Sequence, residues 1–107
     1  MDVQINEVKN LFQSNLSLFN ALGDEQRQRI LLIMADEDRL SVGEIARLTN
    51  LSRPAVSHHI RILKEAELLR EEKQGVRRFY RPQFRSHIQP LKQLLDAIDN
   101  IDCNFDK

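Results

Sequence analysis

At 107 residues, of which 41% are hydrophobic, the chain has the length of one domain and the composition of a soluble globular protein with a small core. No apolar run approaches the roughly 18 residues of a membrane span, and the start MDVQINEVKN lacks the basic flank and apolar centre of a signal peptide, so a cytoplasmic protein without a membrane partner is expected. The net charge is zero, but residues 52–85 hold nine Lys/Arg against four Asp/Glu, while the segments before and after are acidic; a basic middle is the footprint of a part that faces phosphates.

In chain order, Ile5, Val8, Phe12, Leu16 and Phe19 stand at helical spacing and predict one amphipathic helix over residues 5–22. Asp24 can cap a second helix to about Ala35, with Ile30, Leu31, Ile33 and Met34 available for burial. Ser41 and Glu44 stand in capping-box spacing and open a short third helix through Ile45, Ala46 and Leu48. That helix stops near Asn50, which tolerates a left-handed backbone. Ser52 caps a fourth helix, with Pro54 in its first turn, where a missing N–H is harmless. The stretch LLREEKQGVRRFYR then reads as a hairpin with its tip near Gln74, although adjacent Phe79 and Tyr80 break the alternation. Ile88, Leu91, Leu95 and Ile98 mark a last helix over about 84–101, with Pro90 in its early turns.

The fourth helix, within SRPAVSHHIRILKEAELL, carries the chemistry. Taking about 100° per residue, Val56, Ile60 and Leu63 form a narrow apolar stripe, His59 lies at its edge, and Pro54, Ser57, His58 and Arg61 occupy the opposite side. Adjacent histidines do not converge on a metal from a helix, which needs i,i+3 or i,i+4 spacing. No nucleophile accompanies them at a recognised spacing, so no catalytic residue and no cofactor is expected, and the chain is read as a non-enzyme. His59 is expected to pack or to orient the helix, and His58 to face solvent or a groove. A capped short helix, a three-residue turn, a second helix with small polar residues in front and a basic hairpin behind form a winged helix-turn-helix. Ser57 and His58 can donate or accept at base edges, Arg61 can meet phosphate or guanine, and Pro54 and Ala55 permit close approach. Arg77 and Arg78 flank the hairpin tip beside Gln74, placed for phosphates or the minor groove. The fold class is therefore mainly α with a β-hairpin wing, about five helices and two strands, in one domain: helix-turn-helix over about 41–67, wing over about 69–81, terminal helices for dimerisation.

The segments LFNALGDEQRQRILLIM, LSVGEIARLTNLSRPAVSHHIRILKEAELL and REEKQGVRRFYR together resemble the ArsR/SmtB family of bacterial winged helix-turn-helix repressors, over about residues 17–82. The resemblance implies a homodimer that binds an operator and leaves it when an inducer arrives. By position it implies a recognition helix from Arg53 to about Glu67, with Ser52, Arg53, Ala55, Ser57 and His58 nearest the bases, and the paired histidines match the family's own pair. Relatives usually carry glycine where this chain has Asn50 and again where it has Glu67; a glutamate in the left-handed conformation costs about 1 kcal/mol, so the recognition helix could run longer or end differently. The inducer is expected to differ too. The third helix has no cysteine for the family's Cys-x-Cys metal site, and matching His87 to the other site puts Arg85, Ile98 and Ile101 at ligand positions, where cations and aliphatics cannot coordinate. Asp96, Asp99 and Cys103 share a helix face, read as solvated surface. No metal site is expected; a small molecule or an oxidant acting on Cys103 is left as effector.

Dimerisation also follows from the residues. Ile5, Val8, Phe12 and Leu16 at one end and Ile88, Leu91, Leu95 and Ile98 at the other exceed what so small a core needs, and are best buried against a second copy. Two recognition helices would then enter successive major grooves about 10 bp apart on an imperfect palindrome of double-stranded DNA. Arg53, Arg61, Lys64, Arg77 and Arg78 would release counterions, giving strong salt dependence. The alternative reading is a winged helix used as a protein-interaction module without DNA binding.

Overall fold

The first 22 residues form two helices rather than one, α1 (Val3–Ser14) and α2 (Leu16–Leu22). The break is at Asn15, which is buried and whose Nδ2 donates to the Leu11 carbonyl at 2.7 Å and the Pro90 carbonyl at 3.1 Å. A short amide side chain that bonds backbone groups competes with the helical ladder, while the apolar spacing runs through the break undisturbed. The computed structural model describes the backbone of residues 3–105 and the side chains of residues 4–101; the expectations for Cys103 lie outside the described side chains.

Local capping fixes the next three helices. The Asp24 carboxylate accepts from the Arg27 N–H at 3.0 Å and opens α3 (Glu25–Asp36). α4 (Val42–Thr49) starts with a complete capping box: Ser41 Oγ accepts from the Glu44 N–H at 3.2 Å, and Glu44 Oε1 accepts from the Ser41 N–H at 2.9 Å. It ends at Asn50, left-handed at φ 63°, whose N–H donates to the Ala46 carbonyl. In the following α5 (Arg53–Glu65), the Ser52 hydroxyl accepts from the Ala55 N–H at 3.2 Å.

α5 stops two residues before the expected Glu67. Glu67 itself is left-handed at φ 60°, its N–H donating to the Lys64 carbonyl and the Leu68 N–H to the Leu63 carbonyl at 2.8 Å. This is a Schellman ending with glutamate in the glycine position, closed by the fully buried pair Leu63 and Leu68. Glu67→Gly should therefore stabilise the protein by about 1 kcal/mol. Urea titration should show the midpoint moving up with an unchanged slope; a lower midpoint would mean that the Glu67 side chain contributes more than its backbone strain costs.

β1 (Leu69–Gln74) and β2 (Arg77–Pro82) pair antiparallel, from Leu69 opposite Pro82 to Gln74 opposite Arg77. The tip is thus Gly75-Val76, one residue later than expected, with Gly75 at φ 62° supplying the positive φ that a two-residue hairpin loop needs. Phe79 and Tyr80 are both buried despite pointing to opposite faces. Leu40 explains part of this: it exchanges two backbone hydrogen bonds with Tyr80, at 3.1 and 2.8 Å, as a rudimentary third strand. On the other face the Arg39 guanidinium covers the Phe79 ring, 4.2 Å from its centroid. α6 (Arg85–Phe105) closes the chain, longer than expected and with Pro90 inside it.

The chain divides into two compact units, residues 1–17 with 85–107, and residues 18–84. In the second, α3, α4 and α5 pack on one another, with β1 against α5 and β2 against α3. Ile30, Met34, Ile45, Val56, Leu63 and Leu68 are among its fully buried side chains. In the first, α1 packs on α6, and the two run antiparallel: Asn15 meets Pro90, while Gln4, Glu7 and Leu11 share a groove of about 330 Å³ with Gln93, Asp96, Ala97 and Asn100. On each helix the apolar stripe lies one residue, about 100°, beyond the facing positions. In an antiparallel pair equal rotations bring both stripes to one side. There Ile5, Phe12, Ile88 and Leu95 are exposed, Leu95 by 57%, and Val8, Leu91 and Ile98 are half-buried; Leu16, past the break, is also exposed. No helix among the described residues is long and apolar enough to cross a membrane.

Candidate nucleic-acid interface

α5 presents the two sides that its spacing predicts. Val56, Ile60 and Leu63 are buried, whereas Ser52, Arg53, Pro54, Ser57, His58 and Arg61 are exposed and Ala55 is half-buried. Pro54, Ser57, His58 and Arg61 line one shallow surface. Arg61 lies along it, its guanidinium 3.3 Å from His58 Nδ1 and 3.8 Å from Glu65 Oε1. Side chains of this size and polarity, carried on a helix that stands proud, are what a major groove admits.

His59 faces inward. Its Nδ1 is 3.4 Å from an Nη of Arg27 and 3.9 Å from Asp24 Oδ2, while Arg27 donates through Nε to the Ala21 carbonyl at 2.7 Å and through its other Nη to that of Asn20. The cluster ties the end of α2 and the start of α3 to the back of α5. Burial chiefly lowers the His59 pKa below 6.5, against the opposing pull of Asp24. A lowered histidine favours the neutral form when folded, so its contribution is present above pH 6.5 and is lost as pH falls toward the folded-state value. Melting at about pH 5.5 should therefore be lower than at about pH 7.5, with a smaller difference in His59→Gln; equal differences would remove His59 as the cause. The lowered carboxyls of Asp24, held down first by the Arg27 N–H, and of Glu44, held down by the Ser41 N–H, act in a more acidic window.

The wing has two unlike faces. On one, Glu72 is surrounded by Arg39, Arg70 and Arg81, the last at 2.7 Å and also bonded to Asp38 at 2.7 Å. Gln74 belongs to this face, its Oε1 accepting from Arg39 at 3.0 Å, and is not brought together with the α5 surface. On the other, Lys64 is held by Glu71 at 3.1 Å, an ion pair that keeps the Glu71 carboxyl below its usual range. Much of the basic middle is thus neutralised within the fold. Arg53, Arg77 and Arg78 line, with Ser57, a cleft of about 490 Å³ between α4, α5 and the wing tip, although the Arg77 guanidinium also reaches over the Phe79 ring, 5.0 Å from its centroid, on the Gln74 face of the wing. Ser41, Val42, Gly43, Val76 and Tyr80 complete its lining and were not legible as site residues, since only their capping and strand roles show in the sequence. Among the described residues no three His, Cys, Asp or Glu side chains converge as a metal would require. Asp96 and Asp99 lie on exposed surface.

Comparison with known proteins points the same way. The profile of the family described as bacterial regulatory protein, arsR family, matches residues 24–71, which covers α3, α4, α5 and the start of β1. The chain is 37% identical over 59 residues to transcriptional repressor SdpR of Bacillus subtilis, spanning 55% of this chain and 64% of that one. It is 32% identical over 69 residues to an uncharacterized HTH-type transcriptional regulator of Methanocaldococcus jannaschii, spanning 64% of this chain and 78% of that one. Among solved structures it shares its fold with the homodimeric winged helix-turn-helix DNA-binding domain of a possible ArsR-family transcriptional regulator from Mycobacterium bovis: TM-score 0.64, 21% identity, 86% of this chain and 83% of that chain. These relatives are regulators rather than enzymes, and with its capped α4–α5 pair and hairpin wing this chain belongs to the ArsR family of bacterial regulatory proteins.

Proposed function

We propose that this chain is a sequence-specific repressor of transcription that binds double-stranded DNA as a homodimer, on an imperfect palindrome. The observation that carries it is the exposed polar side of α5, where Ser57, His58 and Arg61 stand clear of the core beside a cleft holding Arg53, Arg77 and Arg78. Ser57 and His58 read base edges in the major groove, Ser52, Pro54 and Ala55 allow close approach, and the cations hold backbone phosphates. Arg61 and Lys64, already near carboxylates, contribute less to counterion release than Arg53, Arg77 and Arg78. Gln74, its Oε1 engaged by Arg39, has only its amide N–H₂ left to offer a duplex.

The dimer is supported by the two apolar stripes that share one side of the α1–α6 pair, and by the homodimeric assembly named for the Mycobacterium bovis relative. The effector is not a metal at the family's usual positions, since Arg85, Ile98 and Ile101 stand at ligand places and α4 has no cysteine. Selection of duplexes from a random library, followed by gel retention, tests the reading. A preferred palindrome should emerge and be lost with Ser57→Ala plus His58→Ala. Equal retention of unrelated duplexes would remove the claim of specificity, and undiminished activity of Arg77→Ala plus Arg78→Ala would point to a protein-interaction module.

A further inference from the structure

We propose that Gly43 makes the first turn of α4 a seat for the Arg53 guanidinium, so that Arg53 joins Arg77 and Arg78 as a clamp on the phosphodiester backbone rather than reading base edges. The inference rests on the DNA-binding reading above and assigns a division of labour within it. A Cβ built on Gly43 would lie 2.7 Å from an Nη of Arg53 and 3.3 Å from its Cζ. The guanidinium therefore occupies space that any other residue at position 43 would fill. Seated there, Arg53 is turned away from the α5 surface that carries His58 and Arg61 and into the cleft with Arg77 and Arg78.

The residues lining that cleft include three arginines and no carboxylate. Glu44, the nearest acid in sequence, is engaged by the Ser41 N–H at 2.9 Å in the capping box. Arg53 forms no ion pair with a carboxylate among the described residues, unlike Arg61, Lys64, Arg70 and Arg81. Arg77 also lies over the Phe79 ring, 5.0 Å from its centroid, and Glu44 and Glu71 attract Arg77 and Arg78 from outside the lining. Within the opening itself the nearest anion to complete the set would come from a ligand, and the repeating anion of a duplex is its phosphate. The hydroxyl of Ser57 and the N–H groups of Val42 and Gly43, first-turn donors of α4 that the capping box leaves without an intrahelical acceptor, add neutral donors at the same opening.

Gly43→Ala separates this seat from the fold. The clash is with the far end of a flexible side chain, so α4 should form as before, and alanine is the better helix former, so melting should be unchanged or higher. Binding to a duplex selected as above should weaken roughly ten-fold, and the slope of log K against log salt should fall by about one per protomer. Specific and unrelated duplexes should lose affinity alike. Arg53→Ala should show the same losses, and the double variant no more than either single one. Undiminished binding of Gly43→Ala, a loss that adds to that of Arg53→Ala, or a loss confined to one base position would each overturn the inference while leaving the DNA-binding reading intact. A wild-type protein that binds no duplex would overturn that reading, and this inference with it.

Discussion

Leu95→Glu should convert the proposed dimer to a monomer and weaken operator binding by roughly 10²-fold or more, the advantage lost when two linked half-sites become independent. Leu95 is 57% exposed in the single chain and stands on the side of the α1–α6 pair that also carries Ile5, Phe12 and Ile88. Facing its own copy, a carboxylate there would be buried without a partner and duplicated by symmetry, which costs several kcal/mol per ion. In an isolated chain the same carboxylate faces water and changes little. Sedimentation equilibrium and gel retention at equal protomer concentration check both halves of the expectation, with helical content confirmed by circular dichroism. A Leu95→Glu protein that stays dimeric would move the interface elsewhere, and one that is monomeric yet binds as before would remove symmetry from the mechanism.

Leu63→Ala carries the largest expected loss of stability, about 2–5 kcal/mol. Leu63 is fully buried, continues the Val56–Ile60 stripe of α5, and supplies the carbonyl that accepts from Leu68 at the Schellman ending. Truncating it opens a cavity and also removes the apolar contact with Leu68 that accompanies this helix ending. Against a total stability of order 5–15 kcal/mol for a domain this is a large fraction. Chemical denaturation should show it as a lower midpoint, and the α5 surface should lose operator affinity only where the protein begins to unfold. A loss under 1 kcal/mol would mean that the neighbouring side chains close the space.

The parts of the fold legible in the sequence are those decided by neighbours along the chain. Asp24, Ser41 with Glu44, and Ser52 each cap the helix expected of them, because capping is chemistry between residues three apart. The two sides of α5 were legible for the same reason. Asn15 was not, since one acceptor of its amide, the Pro90 carbonyl, is 75 residues away. Nor was the double burial of Phe79 and Tyr80, which depends on Arg39 covering one face and Leu40 pairing at the strand's free edge. At the site, the polar residues of α5 and the two wing arginines could be named from pattern alone. Their neutralisation could not: which cations keep their charge available depends on where Glu65, Glu71 and Glu72 fall in space. Gly43 escaped notice because a glycine early in a short helix reads as a slight weakness until the arginine above it is seen.

The pairing of Leu40 with Tyr80 bears on how the wing moves. A free two-stranded ribbon is marginal in water and frays from its tip, but this one is stitched at its base to the segment that leads into α4. Isotope exchange at the Leu40 and Tyr80 amides should therefore follow opening of the surrounding core, while amides near Gly75 exchange freely. An incoming duplex would meet an arm already braced at the shoulder, with only its fingertip left to adapt.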